Sequence, residues 1–217
     1  HLEHRRQRQM CIRDRLTLLK AKGGQTDLAS RKAYAAEAFG ISSHYDTRIH
    51  GYLAEEASVF TVSQDHPMPL RYGENPHQRA TFFGDFNAMF TRLSGKPVSY
   101  NNLMDIESAV QVIAEFKQPT FAIIKHNNTC GLATSDTVAK AYTKALACDN
   151  VSAFGGILIT NQEVDMECAE AIQKLFFEVL IAPSFAPGVV DALKVKKNRI
   201  ILQQKPYEPK HRTYRSM

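Results

Sequence analysis

The chain has 217 residues, of which 44% are hydrophobic and 23% are charged, as is typical of a soluble globular protein. No apolar run approaches the roughly 20 residues of a membrane-spanning helix, and no hydrophobic signal segment is present, so we expect no membrane association and a cytosolic location. The four cysteines lack CxxC and CxxxC spacing, which argues against a zinc knuckle and a disulfide framework.

The formal net charge of +5 is unevenly distributed along the chain. Residues 1–15 carry +3 and residues 194–217 carry +7, so the residues between them carry −5. A nucleic-acid-binding domain presents a basic patch or stripe on its folded surface. The distribution therefore predicts no duplex-binding surface on the folded part of the chain.

The first 66 residues have a weak folding pattern. Residues 1–15 show neither hydrophobic periodicity nor a helix cap, and we predict that they are disordered or foreign to the domain. Three short helices are predicted to follow, ending before Gly23, before Gly40 and at Leu53. Because such helices bury too little apolar surface to be stable alone, we interpret residues 16–66 as the tail of a domain followed by a linker.

A polar loop is predicted over residues 70–83, LRYGENPHQRATFF, where Gly73 and Pro76 break any regular element. Arginine, tyrosine, asparagine and histidine side chains are crowded between two apolar runs. The planar guanidinium of Arg71 is suited to a phosphate or a carboxylate. An ordinary surface loop is the alternative interpretation.

A helix is predicted over residues 99–117, because apolar residues recur there every three to four positions. Asn101 and Asn102 stand at its start, where free backbone N–H groups favour a bound anion. Simple capping of the helix is the alternative role for this asparagine pair.

The most informative stretch is QPTFAIIKHNNTCG, residues 118–131. Phe121–Ile124 predict a buried strand, and Lys125 and His126 follow it directly. In an open α/β sheet ligands bind at the carboxyl ends of strands, where lysine supplies a cation and histidine titrates near neutral pH. Adjacent strand residues point to opposite faces, so both serve one site only if the strand ends at Lys125 or His126. A solvated strand end is the alternative.

Helices and strands alternate through the rest of the chain. Phe154-Gly155-Gly156 interrupts one strand, which marks a bulge or a close approach of the backbone to a ligand. The alternation predicts an α/β fold with a mixed, mainly parallel sheet and flanking helices. The predicted elements are helices over 136–147, 166–176 and 188–194, a turn followed by a strand within 149–159, and strands over 178–182 and 198–202.

Five motifs resemble, in order and approximate spacing, those of the bifunctional phosphoribosylaminoimidazolecarboxamide (AICAR) formyltransferase/IMP cyclohydrolase family of purine biosynthesis. They are LRYGENPHQRA, SYNNLMDIESA, IIKHNNTCGLA, DNVSAFGGILI and EVLIAPSF. A sixth stretch, SHYDTRIHGYL, is similar to the end of the cyclohydrolase domain. The resemblance implies that residues 16–66 contain a few helices from the end of that domain and a linker. Residues 67–217 then form the first half of the formyltransferase domain, a cytidine-deaminase-like subdomain.

The resemblance implies transfer of a formyl group from 10-formyltetrahydrofolate, the cosubstrate, to the 5-amino group of AICAR, followed by ring closure to IMP. The amine is a weak nucleophile and needs a base, and the developing oxyanion needs a cation. His126 fits the role of the base and Lys125 that of the cation. Lys125 is also a candidate proton donor to the leaving folate nitrogen. No metal is predicted in this part of the protein.

The same motifs imply a set of substrate-binding residues. Arg71 and Tyr72 resemble the family's pair that contacts the AICAR phosphate and ring, and Asn102 resembles an AICAR-contacting asparagine. Phe154 and Gly155 fall where the family lines its nucleotide pocket. The complete set is Arg71, Tyr72, Gly73, His77, Asn102, Phe154, Gly155 and Glu178.

The resemblance also implies an internal fragment of a longer protein. The parent protein is a homodimer whose active sites are completed across the subunit interface, and it acts on AICAR and folate, with no nucleic acid or membrane partner. We therefore expect no ring closure and negligible formyl transfer from this chain alone.

Three other interpretations stay open at this point. A zinc-dependent deaminase needs an H-x-E and a P-C-x-x-C motif, whereas Asn127 and Asn128 follow His126 and Cys130 has no partner at the required spacing. A nucleic-acid-binding module would use the basic termini, although a lysine-rich helix end is commonly a solvated face. A noncatalytic fragment is the third.

Overall fold

The computed structural model describes residues 2–54, 61, 63 and 67–206, with side chains from Ile12 onwards. The chain divides into two compact units, residues 1–65 and residues 66–217. The described residues of the first unit form two helices, α1 (Leu2–Ala21) and α2 (Leu28–Leu53). Asp27 caps α2 by accepting a hydrogen bond of 2.7 Å from the Ser30 backbone N–H.

The first unit differs from the predicted backbone conformation in two places. Helix α1 runs through residues 2–15, because residues 2–21 contain neither glycine nor proline and are rich in leucine, arginine and glutamine, which are good helix formers. That residues 1–15 are foreign to the domain stays a prediction. Gly40 lies inside α2, which is continuous over the two helices predicted there. One interior glycine costs only about 1 kcal/mol, too little to break a helix of 26 residues. The predicted apolar patch at residues 59–62 lies almost wholly outside the described residues.

Replacing Gly40 by alanine is expected to stabilise α2 by about 1 kcal/mol, because alanine loses less backbone entropy in a helix and the space around Gly40 is empty to 4 Å. Thermal unfolding followed by far-UV circular dichroism measures the change. Gly24→Ala is the control with the opposite sign, since Gly24 has a φ of +84° in the turn after α1. A lower unfolding temperature for Gly40→Ala would contradict the continuous helix.

The second unit contains a six-stranded sheet, a two-stranded sheet and five helices among the described residues. The small sheet pairs β1 (Pro67–Pro69) with β2 (Thr81–Phe83). The large sheet has the order β3-β8-β7-β6-β4-β5. Its strands are β3 (Phe90–Ser94), β4 (Thr120–Lys125), β5 (Asn128–Thr134), β6 (Ile157–Thr160), β7 (Val179–Ala182) and β8 (Ile200–Gln204). The helices are α3 (Phe86–Met89), α4 (Tyr100–Ala114), α5 (Val138–Cys148), α6 (Met166–Gln173) and α7 (Val189–Leu193).

The predicted α/β class and the mixed sheet are confirmed, but the sheet is not mainly parallel. Only the pairs β6–β7 and β7–β8 are parallel, whereas β3–β8, β4–β5 and β4–β6 are antiparallel. The difference comes from the polar stretch after Ile124, which forms a tight hairpin instead of a loop that leads to a helix. Two-residue hairpins join antiparallel strands directly.

A hydrophobic core lies on each face of the large sheet. Consecutive strand residues supply opposite faces, so Ile123 belongs to the cluster with α5, α6 and α7, and Ile124 belongs to the cluster with α3 and α4. Both isoleucines are fully buried, and each contributes about 1.5–3 kcal/mol by burial. The result is a three-layer arrangement of helix, sheet and helix that fixes the strand ends.

One end of the large sheet carries the predicted site residues. Ile124 at the end of β4 pairs with Ile157 at the start of β6, and the starts of β7 and β8 lie beside them in register. Lys125 and Glu178 flank these strands and therefore lie at this end. The site residues were expected at the carboxyl ends of strands, and this holds for β4 only. Strand β6 runs antiparallel to β4, and β7 and β8 run parallel to β6, so these three strands have their amino ends at this end of the sheet.

Candidate active site

The hairpin between β4 and β5 positions Lys125 and His126. Strand β4 ends at Lys125, and the two turn residues, His126 and Asn127, have φ values of +53° and +60°. Positive φ at both residues is the geometry of a type I′ turn, which fits the twist of a hairpin. The strand thus ends where both side chains could serve one site. Histidine in this left-handed region costs free energy, of order 1–3 kcal/mol.

Residues of helix α4 form hydrogen bonds with this turn. The Asp105 carboxylate accepts a hydrogen bond of 2.8 Å from the Asn127 backbone N–H. The amide orientation that satisfies both polar atoms of Asn127 lets its nitrogen donate to the Met104 carbonyl at 2.9 Å and the Ser108 hydroxyl at 3.2 Å. These bonds offset the strain of the turn and fix the backbone of His126.

Lys125 is tied to the glycine-rich turn before β6. Its Nζ donates a hydrogen bond of 2.7 Å to the Phe154 carbonyl. Phe154 is 59% exposed, and its ring packs against Phe176 with 5.1 Å between centroids. Gly155, at a φ of +77°, donates its backbone N–H to the Phe176 carbonyl at 2.8 Å. The turn therefore presents an exposed aromatic pair beside the Lys125 ammonium.

The start of α4 joins Asn102 to Glu178. Ser99 caps the helix, and Asn102 completes a reciprocal capping box with it. The expectation that Asn101 or Asn102 is the cap residue is therefore wrong by two or three positions. Asn102 is only 5% exposed, and its Nδ2 donates a hydrogen bond of 2.9 Å to Glu178 Oε2. The carboxylate of Glu178 is thereby fixed near the positive end of the helix dipole.

The loop of residues 70–80 packs against the same helix start. The Arg71 guanidinium lies 4.6 Å from the Tyr72 ring centroid and donates to Tyr72 Oη at 2.8 Å. The Tyr100 backbone N–H donates to the Tyr72 carbonyl at 3.3 Å. Gly73 is buried, and a side chain there would press on Gln78, since an added Cβ would lie 2.9 Å from Gln78 Cβ. The glycine thus permits the compact loop that carries Arg71.

The predicted site residues fall into contact groups at one end of the sheet. In the first group Lys125 is hydrogen-bonded to the turn of Phe154 and Gly155, and in the second Asn102 is hydrogen-bonded to Glu178. In the third, the loop that carries Arg71, Tyr72 and Gly73 is hydrogen-bonded to Tyr100 at the start of α4. Gly156 links the first two groups, because its carbonyl accepts from the Glu178 backbone N–H at 3.1 Å. His77 and His126 are exposed, and neither imidazole has a hydrogen bond within the described part of the chain.

Three residues of the site are not singled out by the sequence analysis. Ser99 carries a recognisable signal, because a serine three positions before an amide side chain is a variant of the capping box. Asp105 and Phe176 carry no such signal. Asp105 looks like one more polar residue on a helix face, and Phe176 looks like a residue of the core although it is 44% exposed.

The metal-ligand and thiol side chains of the described residues are as follows. No group of three or more histidine, cysteine, aspartate or glutamate side chains that could hold a metal ion occurs within residues 2–54 and 67–206. Burial, and then the nearby Asp149, raise the pKa of the Cys130 thiol above its ordinary value. Cys130 is therefore a poor nucleophile at neutral pH. None of the described helices has the length and apolarity needed to cross a bilayer.

The comparisons with known proteins agree with the motifs. Three curated relatives share the name bifunctional purine biosynthesis protein PurH. The protein of Bacteroides thetaiotaomicron is 49% identical over 203 residues, which covers 93% of this chain and 40% of the relative. That of Chloroflexus aurantiacus is 43% identical and covers 84% of this chain and 36% of the relative. The protein of Chlorobaculum parvum is 41% identical, and the match covers 88% of this chain and 40% of the relative.

This chain thus spans about 40% of the length of the curated relatives it matches. The sequence model of the family described as AICARFT/IMPCHase bienzyme matches residues 13–217. That match includes every residue assigned to the site above, from Arg71 to Glu178. The chain belongs to the AICARFT/IMPCHase bienzyme family.

Proposed function

We propose that the site described here takes part in formyl transfer from 10-formyltetrahydrofolate to the 5-amino group of AICAR, a step of IMP biosynthesis. The observation that carries the proposal is the gathering of Lys125, Asn102 and Glu178 at one end of the sheet in a chain of this family. The parent protein also cyclises formyl-AICAR to IMP, and we assign that ring closure to residues outside the matched region.

The reaction needs few groups. The AICAR amine attacks the formyl carbon, and His126 takes the amine proton as the new carbon–nitrogen bond forms. Lys125 stabilises the oxyanion of the tetrahedral intermediate. The bond between the formyl carbon and folate N10 then breaks, and N10 takes up a proton, for which we assign Lys125 as donor. Solvent then carries the proton from His126 to Lys125, so both side chains return to their starting protonation states and the overall reaction conserves protons.

The hydrogen bond of Lys125 is compatible with this role. An ammonium has three N–H donors, so Lys125 can keep its 2.7 Å bond to the Phe154 carbonyl and still donate to an oxyanion. That bond restricts the rotamers of a long side chain before substrate arrives. Because the Lys125 side chain is already restricted, it loses less conformational entropy when the transition state forms.

The remaining residues are assigned to substrate binding. The Arg71 guanidinium, stacked on Tyr72, suits the AICAR phosphate. Asn102 and Glu178 form a fixed amide and carboxylate pair suited to the polar edge of the imidazole carboxamide. Phe154 and Gly155 line the nucleotide pocket, with Gly73 and His77 in the neighbouring loop.

Some features of the parent protein remain part of this proposal. We propose a cytosolic homodimer, with residues 16–66 as the end of the cyclohydrolase domain and residues 67–217 as the first half of the transferase domain. No metal is required by these residues. Because the chain spans about 40% of its relatives' length, formyl transfer is proposed for the whole protein, and AICAR binding is the property expected of this chain.

The test transplants this chain into a whole protein. Residues 13–217 replace the matched segment of the Bacteroides thetaiotaomicron relative, and tetrahydrofolate release is measured with AICAR and 10-formyltetrahydrofolate. We expect activity near that of the parent, and a loss of about 100-fold or more in kcat for Lys125→Met. A folded chimera without formyl transfer, or an unchanged kcat for Lys125→Met, would overturn the proposal.

Substrate binding by the chain itself gives a second prediction. Arg71→Met is expected to weaken AICAR binding about tenfold or more, because the phosphate loses a charge-assisted hydrogen-bond partner. Isothermal titration of the 217-residue chain with AICAR measures the change. Arg92→Met, which removes an exposed arginine on strand β3, is the control and should leave the affinity unchanged. Equal effects of the two substitutions would exclude a specific phosphate contact.

A further inference from the structure

The loop of residues 70–80, which carries Arg71, is long for a connection between two paired strands. Its ends are joined by one backbone hydrogen bond, from the Leu70 N–H to the Ala80 carbonyl at 3.0 Å. Loops between paired strands commonly have about two to five residues, and every residue held in one conformation loses backbone entropy. A fixed position for the Arg71 side chain therefore needs further bonds, within the loop or to its surroundings.

Two backbone hydrogen bonds join the start of the loop to the residues around the start of α4. The Arg71 N–H donates to the Val98 carbonyl at 3.4 Å, and the Tyr100 N–H donates to the Tyr72 carbonyl at 3.3 Å. Both distances exceed the usual range of about 2.7–3.2 Å for an N–H···O bond. These two bonds are therefore weak, and they do not fix the part of the loop that follows Tyr72.

Gln78 closes that part of the loop from within. Its backbone N–H donates to the Asn75 carbonyl at 3.0 Å, and its carbonyl accepts from the Gly73 N–H at 2.9 Å. Its side-chain Oε1 accepts from the Asn75 N–H at 2.8 Å. Pro76 stands at the second position of the turn from Asn75 to Gln78, where its fixed φ is favourable. Three hydrogen bonds of normal length thus meet at one residue, and its side chain supplies the shortest of them.

Asn101 attaches the closed loop to α4. It is the second residue of the helix, and its Nδ2 donates a hydrogen bond of 3.2 Å to the Glu74 carbonyl. Asn101 takes no part in the capping box, which Ser99 and Asn102 form. Capping therefore does not account for its side chain, whereas the bond to Glu74 holds the middle of the loop against the start of the helix.

The Arg71 guanidinium keeps free donors in this arrangement. It donates one hydrogen bond, to Tyr72 Oη, whereas a guanidinium has five N–H donors. Within the described residues no carboxylate forms an ion pair with it. A guanidinium binds a phosphate with two parallel hydrogen bonds only when its planar edge faces the phosphate oxygens. The conformation of the loop backbone should therefore decide how well Arg71 binds a phosphate.

We propose that Gln78 and Asn101 are positioning residues for the binding of the substrate phosphate. This inference rests on the proposed function, in which Arg71 binds the AICAR phosphate. Gln78 keeps the loop closed, and Asn101 fixes the closed loop on the helix that also carries Asn102. Arg71 and Asn102 are thereby held at one spacing before the nucleotide binds. Such preorganisation raises affinity, because less conformational freedom is lost on binding.

The test compares AICAR with its dephosphorylated nucleoside in isothermal titrations of the 217-residue chain. Gln78→Leu and Asn101→Ala are each expected to weaken AICAR binding about fivefold. The affinity for the nucleoside should stay unchanged, since the nucleoside has no phosphate for Arg71. Gln111→Leu, which removes an exposed glutamine from α4, is the control and should bind both ligands as the wild type does.

Hydrogen exchange checks the physical cause in the same samples. The Asn75 amide should exchange faster in Gln78→Leu, because it loses its acceptor, while the amides of the buried strand β4 stay protected and show that the fold is intact. Equal exchange of the Asn75 amide in the wild type and in Gln78→Leu would show that this side chain does not close the loop, and the inference would be overturned.

A double variant shows whether Gln78 acts through Arg71. In the Arg71→Met background, Gln78→Leu should cause no further loss of AICAR affinity, so the two changes are not additive. Additive effects, equal losses for AICAR and the nucleoside, or wild-type AICAR affinity in either single variant would overturn the inference and leave the proposed function in place. A wild-type chain that does not bind AICAR would instead overturn the proposed function, and this inference with it.

Discussion

Gly131→Ala is expected to destabilise the 66–217 unit by about 3 kcal/mol or more. A Cβ at Gly131 would lie 1.9 Å from the Ala145 carbonyl oxygen and 3.4 Å from Cys148 Cβ. The first contact is with the backbone of α5, so no side-chain rotation relieves it. Strand β5 would have to move away from the helix, which would open the core around Ala145.

Urea unfolding followed by circular dichroism measures this loss, with the midpoint and the slope fitted separately. Gly51→Ala is the control, because nothing lies within 4 Å of an added Cβ there. A midpoint for Gly131→Ala near that of the wild type would show that β5 and α5 are not in direct backbone contact. Since β5 forms the hairpin that carries His126, the substitution should also lower formyl transfer by the chimeric whole protein in the molecules that remain folded.

The sequence predicts those parts of the fold that have a strong local signal. The run Phe121–Ile124 is apolar and β-branched, and it forms the central buried strand β4. The apolar period over residues 99–117 corresponds to α4, whose bounds are Tyr100–Ala114. In both cases local preference and tertiary burial point to the same structure, which is why the prediction succeeds.

The missed strands lack such a signal. Strand β5 follows a turn of histidine and asparagine instead of the usual Asn-Gly or Asp-Gly pair, so the hairpin is hidden in the sequence. Strand β3 has exposed polar residues at its centre and only one neighbour in the sheet, β8. The antiparallel pairing of both strands explains why the sheet is less parallel than expected.

The candidate site was accessible to sequence analysis through its motifs and not through its contacts. The hydrogen bond from Asn102 to Glu178 joins residues 76 positions apart, and no local pattern reports such a pair. The same is true of Asp105 and Asn127, which are 22 positions apart. Motif resemblance predicts which residues belong to one site, whereas the contacts that fix their conformations are seen only in the folded structure.

Asp105→Ala is expected to lower formyl transfer by the chimeric whole protein about 10- to 100-fold, mainly in kcat. Its carboxylate is the acceptor for the Asn127 backbone N–H at 2.8 Å, in a turn where His126 and Asn127 both have positive φ. Without that acceptor the turn relaxes and the imidazole loses its fixed position. AICAR affinity, which depends on Arg71 and Asn102, should change little, so kcat and KM separate.

Two comparisons distinguish positioning from a general loss of stability. Asp105→Asn keeps an oxygen acceptor and should recover most of the activity, whereas Glu107→Ala removes an exposed carboxylate from the same helix and should have no effect. In the 217-residue chain, hydrogen exchange of the Asn127 amide should accelerate in Asp105→Ala and stay slow in Asp105→Asn. If the Asn127 amide exchanges equally in all variants, Asp105 does not hold the turn, and a fall in kcat would need another cause. The electrostatic role of the carboxylate is tested by the same pair, because Asp105→Asn removes the charge and leaves the hydrogen bond.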